Sequence, residues 1–383
     1  MREALVNARV LVDGAIVADR AVVIDGERIA AVLPRASVSS ASHRLTDLEG
    51  GLLLPGFVDT QVNGGGGALF NEDPSVETIR AIGAAHRGFG TTSFLPTLIS
   101  DDLSAIARAI EAVREAMRAG VPGVIGIHIE GPCLSEARKG AHDAAKFRGL
   151  EASDVELLSS LGAGRTLVTL APEMTTPGMI SMLAGRGVVV SAGHTNGTYA
   201  DIVKALAHGL TGFTHLFNAM SPLTSRKPGV VGAALDDAES WCGIIVDGHH
   251  VDPVVLRLAL RCKRLDRFML VTDAMSTVGS DQQSFMLQGR RIMVRDGRVV
   301  DEQGILTGSA LDMASAVRNA MGMLGVDLAA AVRMASAHPA AFLRLEGEIG
   351  SIAPGSRANL VHAGEDMRVL RTWIDGKPEA HGA

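Results

Sequence analysis

Four stretches of the chain end a short apolar run on a side chain able to hold a metal or move a proton. They are His128-Ile129-Glu130-Gly131-Pro132, Ser191-Ala192-Gly193-His194-Thr195, Thr214-His215-Leu216-Phe217-Asn218 and Val271-Thr272-Asp273-Ala274. One glutamate, two histidines and one aspartate thus arrive at similar positions on separate runs, and His194 and His215 stand 21 residues apart, about one strand–helix unit. Two imidazoles and a carboxylate form a three-ligand set for Zn²⁺ that leaves a position open for water. A metal there lowers the pKa of water towards about 7 and polarises a bound oxygen. A nearby aspartate then takes the water's proton and hands it to a leaving group. The assembly suits hydrolysis of an amide or a related bond. One histidine or glutamate alone at such a position is more often a hydrogen-bonded structural residue. Charged residues buried at four strand ends would be costly without a shared purpose.

The elements that must carry these residues follow from the pattern around them. Through the middle of the chain, short apolar runs at 52–62, 92–96, 124–130, 166–170, 188–192, 212–217, 242–246 and 267–272 alternate with longer helical patterns. The helix expected over 101–119 shows Leu103, Ile106, Ile110, Val113 and Met117 on one face, with Gly120 and Pro122 beyond its end. Eight βα units predict a (β/α)₈ TIM-like barrel, whose strand C-termini ring a single site. A doubly wound open sheet is the competing architecture. Both chain ends read as β. Runs at 4–12, 21–24 and 29–33 are divided by Asp13-Gly14 and Asp25-Gly26, and runs at 359–362 and 369–374 lead into Asp375-Gly376. These ends predict a small β-sandwich domain from residues 1–51 and 346–383, with the barrel over 52–345. A glycine-punctuated β excursion is expected at 282–306, then helices near 311–324 and 327–343.

Composition narrows the function further. The chain of 383 residues is 47% hydrophobic and 20% charged, which marks a globular protein with ample core. With 36 basic and 42 acidic residues, the net charge of −6 gives no nucleic-acid or anionic-membrane footprint. No apolar run reaches the length of a membrane span, and Met1-Arg2-Glu3-Ala4-Leu5 enters a strand pattern with no leader-like stretch. Cys133, Cys242 and Cys262 are too few and too separated for a disulfide framework or a CxxC zinc site, so a reducing cytoplasm is expected. Cys133 has no base assigned to it and is read as a small packing residue. Gly64-Gly65-Gly66-Gly67 fits neither phosphate-loop spacing and is read as a tight turn or a close backbone approach. His43, His86, His208 and His338 belong to no ligand constellation and are read as surface or structural histidines.

Taken together, these motifs resemble the amidohydrolase superfamily and, within it, the N-acetylglucosamine-6-phosphate deacetylases. The resemblance rests on Pro55-Gly56-Phe57-Val58-Asp59, the four stretches above, the extensions Asn196 and Ala219-Met220, Asp247-Gly248-His249-His250-Val251-Asp252, and Leu306-Thr307-Gly308-Ser309-Ala310. They run in family order over nearly the whole chain, and Pro339, Gly350, Pro354-Gly355 and Asn359-Leu360 resemble the superfamily's closing segment. The resemblance implies that Glu130, His194 and His215 hold the catalytic metal and that Asp273 is general base, then general acid. It implies that His142 contacts the substrate carbonyl, and that the backbone at Asn218 and Ala219, with Arg226 and His250, binds the sugar phosphate. Arginine suits that task through its bidentate fork. A homodimer is implied, with the phosphate site completed across the interface. One departure stands out. Many amidohydrolases carry His-x-His at the end of the first strand for another metal, where this chain reads Gln61-Val62-Asn63. Neutral amides are poor zinc ligands beside imidazole and carboxylate, so one divalent ion per subunit is expected: Zn²⁺ first, with Fe²⁺, Mn²⁺ or Co²⁺ as alternatives. Two other functions stay open: a deacetylase preferring N-acetylgalactosamine 6-phosphate, and a catalytically silent sugar-phosphate-binding barrel.

Overall fold

The computed structural model describes residues 2–381. Eight parallel strands form its central sheet in sequence order: β1 (Phe57–Val62), β2 (Thr91–Ile99), β3 (Gly126–Glu130), β4 (Arg165–Leu170), β5 (Val189–Ala192), β6 (Leu210–Phe213), β7 (Trp241–Ile244) and β8 (Phe268–Leu270). The last strand returns to the first just beyond its end. Val62 bridges Ala274 in parallel, and the Asp273 N–H donates to Gln61 O at 3.0 Å. The sheet is therefore a nearly closed barrel, not an open doubly wound sheet. Helices cover its outer face, so the strands are buried on both sides and read as unbroken apolar runs. In the helix Leu103–Arg118, Ile106, Ile110 and Val113 are fully buried.

The run at 52–62, expected as one strand, is two. Leu52–Pro55 pairs with Arg9–Val12 and Leu360–Ala363 in a six-stranded sheet made from both chain ends, and only Phe57–Val62 enters the barrel. The break falls at Gly56, where a Cβ would lie 2.0 Å from Thr92 Oγ1. Residues 52–55, placed on the barrel side of the expected division, thus belong with the terminal sheet. The run at 4–12 is also split. Glu3–Val6 joins a four-stranded sheet and Arg9–Val12 the six-stranded one, because Asn7 turns the chain at φ 62°; asparagine tolerates that left-handed conformation. Leu5, Val22, Leu53, Leu360 and Trp373 from the two sheets share one apolar cluster.

An antiparallel sheet of Ser284–Leu287, Arg290–Arg295 and Arg298–Asp301 forms the expected β excursion. The helix expected over 327–343 is broken into Leu328–Met334 and Ala337–Phe342. Ser336 leaves helical geometry at φ −139°, and Pro339 has no N–H to give to Ala335 O. Among the described residues no helix is long and apolar enough to cross a membrane.

Candidate metal centre and active site

The C-terminal ends of β3, β5, β6 and β8 deliver their polar residues to one place. Glu130 Oε1 lies 3.1 Å from His194 Nε2 and 3.0 Å from His215 Nε2, and the two ring nitrogens are 3.1 Å apart. All three side chains are buried and form a group that could hold a metal ion. The sequence places left-handed backbone just where the chain leaves the strands: φ is 47° at His194, 36° at His215 and 51° at Asp273. Such geometry is strained for non-glycine residues and persists where the surroundings over-determine it.

The donor set fits a divalent cation. His194 Nδ1 is 2.9 Å from Arg138 O. That carbonyl can only accept, so Nδ1 carries a proton and Nε2 is the nitrogen turned to the centre. Burial alone would raise the Glu130 carboxyl, but hydrogen bonds from His194 and His215 hold it well below the usual carboxylate range. Burial likewise works against a charged His215, yet the hydrogen bond to Glu130 prevails and raises its pKa. A buried carboxylate facing two imidazole nitrogens is a donor set that a cation would satisfy.

Around this centre a cavity of about 390 Å³ is lined by Asn63, His142, Asn218, Ala219, His250 and Asp273 on its polar side. Ile99, Met275, Leu287 and Leu306 line its apolar side. The volume suits a small ligand. Burial, and then the charge of Glu130, push the Asp273 carboxyl up to about 6. Its Oδ1 accepts from Gln61 Nε2 at 3.1 Å and from Asn63 Nδ2 at 2.6 Å. His142 Nδ1 accepts the backbone N–H of Ser100 at 3.3 Å, and Ser100 Oγ is 2.9 Å away. A backbone N–H can only donate, so the remaining proton sits on Nε2. Burial, then the neighbouring His194, lower the His142 pKa well below that of a free imidazole, which keeps the ring neutral. At the far side Asp247 braces His250. Its Oδ1 accepts the backbone N–H groups of His249 and His250, and its Oδ2 lies 2.6 Å from His250 Nδ1.

Eight of the nine residues singled out from the sequence thus surround one cavity. Arg226 does not. It lies on the exposed stretch 222–228 and does not line the cavity of its own chain. Gln61, considered from sequence only as an absent ligand, is a hydrogen-bond donor to both carboxylates, reaching Glu130 Oε2 at 3.2 Å. His142 depends on Ser100, 42 residues away, a relation that no local pattern reveals. Three of the histidines read as surface or structural have backbone partners. His86 Nε2 is 2.9 Å from Gly64 O, His208 Nδ1 is 2.7 Å from Lys204 O, and His338 Nδ1 is 2.8 Å from Phe268 O. Burial pushes the Cys133 thiol up to about 12, as befits a packing residue. The glycine run is a close approach: a Cβ at Gly64 would stand 2.5 Å from Ala68 O.

Comparison with known proteins agrees with this geometry. A family model described as Amidohydrolase family matches residues 52–378. An N-acetylgalactosamine-6-phosphate deacetylase of Shewanella sp. (strain ANA-3) is 48% identical over 88% of this chain and 84% of its own. An N-acetylglucosamine-6-phosphate deacetylase of Haemophilus influenzae is 36% identical over 98% of this chain and 99% of its own. The crystal structure of the N-acetylglucosamine-6-phosphate deacetylase from Pasteurella multocida superposes with a TM-score of 0.96 at 37% identity, over 100% of both chains. The barrel, the converging Glu-His-His group and these matches together place this chain in the amidohydrolase family.

Proposed function

We propose that this protein hydrolyses the acetamide of N-acetyl-D-glucosamine 6-phosphate, giving D-glucosamine 6-phosphate and acetate. The observation that carries the reading is the convergence of Glu130, His194 and His215 beside Asp273 and His142 in one cavity. One divalent ion per subunit, zinc first, held by Glu130, His194 and His215, would acidify water and polarise the acetyl carbonyl. Asp273 accepts the proton of the attacking water; its Oδ1 is engaged by Gln61 and Asn63, which leaves Oδ2 for that proton. The His142 Nε2–H donates to the carbonyl oxygen as negative charge builds there. Asp273 then returns the proton to the sugar nitrogen as the C–N bond breaks, so water and amide leave as acetate and amine.

For the phosphate, the reading uses His250, the backbone at Asn218 and Ala219, and Arg226. The exposed position of Arg226 supports its delivery to the cavity of a second copy in a homodimer. Three free cysteines support a reducing cytoplasm as the compartment. The division into a terminal sandwich and a barrel is drawn at Gly56 on the first side and 346 on the second.

The test is acetate release from N-acetylglucosamine 6-phosphate by zinc-reconstituted protein against a chelated control. Fast, chelator-sensitive release is expected. Folded, metal-loaded protein that binds the sugar phosphate without turnover would replace the enzyme by the silent barrel. The Shewanella relative favours a second substrate, N-acetylgalactosamine 6-phosphate. The ratio of kcat/KM for the two epimers decides between them.

A further inference from the structure

Gln61 lies at the end of β1 and Asn63 just beyond it, and neither side chain is a good ligand for the centre it faces. Both are buried, with 2% and 4% of their surface exposed. Gln61 Nε2 lies 3.2 Å from Glu130 Oε2 and 3.1 Å from Asp273 Oδ1, and Asn63 Nδ2 lies 2.6 Å from the same Asp273 oxygen. A primary amide carries two N–H donors, so Gln61 can serve both carboxylates at once. The amide orientation follows from this company, because a reversed Gln61 would face two carboxylate oxygens with its own carbonyl. The backbone fixes the donors in place. The Asp273 N–H donates to Gln61 O at 3.0 Å and the Asn63 N–H to Ala274 O at 2.9 Å, which closes the barrel at the site.

We propose that Gln61 and Asn63 are positioning residues whose N–H groups take the ground between Glu130 and Asp273 that a second cation would otherwise hold. Two buried carboxylates this close need positive partners between them. The amides supply partial positive charge there, and Gln61 holds Glu130 by Oε2 so that its Oε1 meets the two histidines. They also hold Asp273 by one oxygen, which keeps the other for proton transfer. Metal ligands are commonly oriented by such outer partners, whose loss costs about 10–100-fold in metal affinity or activity. A merely structural role for the pair would show as lower thermal stability and nothing else.

The kinetic part of the test rests on the deacetylase reading, whereas the metal-binding part does not. Wild-type protein without turnover therefore counts against that reading alone. The protein is compared with Gln61→Ala and Gln61→Glu for zinc affinity by chelator competition, zinc equivalents bound per chain, and kcat and KM. Gln61→Ala is expected to weaken zinc binding about tenfold or more and to lower kcat about tenfold or more, with KM within about threefold. Gln61→Glu keeps the shape but sets an acceptor where the donor stood, and is expected to bind a second zinc equivalent. Unchanged zinc affinity or unchanged kcat in Gln61→Ala overturns the proposal. If that variant does not fold, the zinc stoichiometry of Gln61→Glu decides alone: two supports it and one overturns it.

Discussion

Asp273 and His250 carry the sharpest consequences at the scale of single residues. Asp273 must be ionised to accept a proton, and its pKa is raised to about 6 by burial and by Glu130. Turnover should therefore fall as pH drops through that value, with the limb displaced lower to the extent that a bound cation favours the carboxylate. Asp273→Asn keeps the hydrogen-bonding shape but cannot accept the proton. Its kcat should drop about a thousandfold with metal content unchanged, and near-normal turnover in folded, metal-loaded protein would sink the general-base assignment. For His250, Asp247 decides which ring nitrogen faces the cavity. The His250 hydrogen bond and charge in turn hold Asp247 below the usual carboxylate range against its burial. Asp247→Ala frees the ring and removes the complementary charge. The expected result is a KM for the phosphorylated sugar raised about tenfold with kcat little changed, the signature of lost ground-state binding; a fall in kcat at constant KM would argue instead that His250 acts in the chemical step. The ligand-type residues were legible in the sequence because Glu130, His194, His215 and Asp273 each end an apolar run. Their supports, such as Ser100 behind His142 and Arg138 behind His194, were not, because those contacts join segments dozens of residues apart.

Among the strands, β1 holds a second buried carboxyl that the chemistry does not use. Asp59 Oδ2 accepts from Thr272 Oγ1 at 2.5 Å across the β1–β8 seam, and Asp59 Oδ1 lies 3.2 Å from the Gln61 N–H. Burial pushes its pKa up to about 7 from 3.8. Between those values the folded chain holds a proton that the unfolded chain has released, so stability falls as pH rises from about 4 to about 7. Asp59→Asn removes that slope and keeps the shape of the carboxyl. Relative to the parent, the variant should gain roughly 2–3 kcal/mol between about pH 5 and about pH 8, at about 1.4 kcal/mol per pH unit. Urea denaturation at both pH values measures this, and parallel profiles would show that Asp59 is ionised in the fold. The strand pattern itself was legible because parallel strands covered on both faces are apolar throughout. The same uniformity hid the break within 52–62. The whole run from Leu52 to Val62 reads as one strand, and only the pairing of Leu53 with Val10 and His362 shows that the first half serves another sheet.

At the scale of the whole molecule, the six-stranded terminal sheet and the barrel are tied by Arg87. Its Nε donates to Thr372 Oγ1 and its Nη2 to Lys377 O, each at 2.9 Å, while Nη1 pairs with Glu379 at 2.8 Å. The chain ends thus brace the outside of the barrel, and the active-site mouth lies at the other ends of the strands. Arg226 lies on the exposed stretch 222–228. Sequence could name it as an arginine suited to phosphate but could not say whose phosphate it meets. If it serves a second copy, function becomes a property of the pair, and complementation tests this directly. Arg226→Ala protein has intact chemistry but lacks the arginine its partner needs; Asp273→Asn protein supplies the arginine but lacks the base. Separately, the first should show a strongly raised KM and the second almost no turnover. Dissociated, mixed in equal amounts and reassociated, half of the dimers are hybrids, and each hybrid holds one complete site. The mixture should therefore recover about a quarter of wild-type activity at low substrate. An arginine acting on its own chain's cavity leaves the mixture at the mean of the two parents, because no exchange of subunits then brings a working base and a working arginine to the same phosphate.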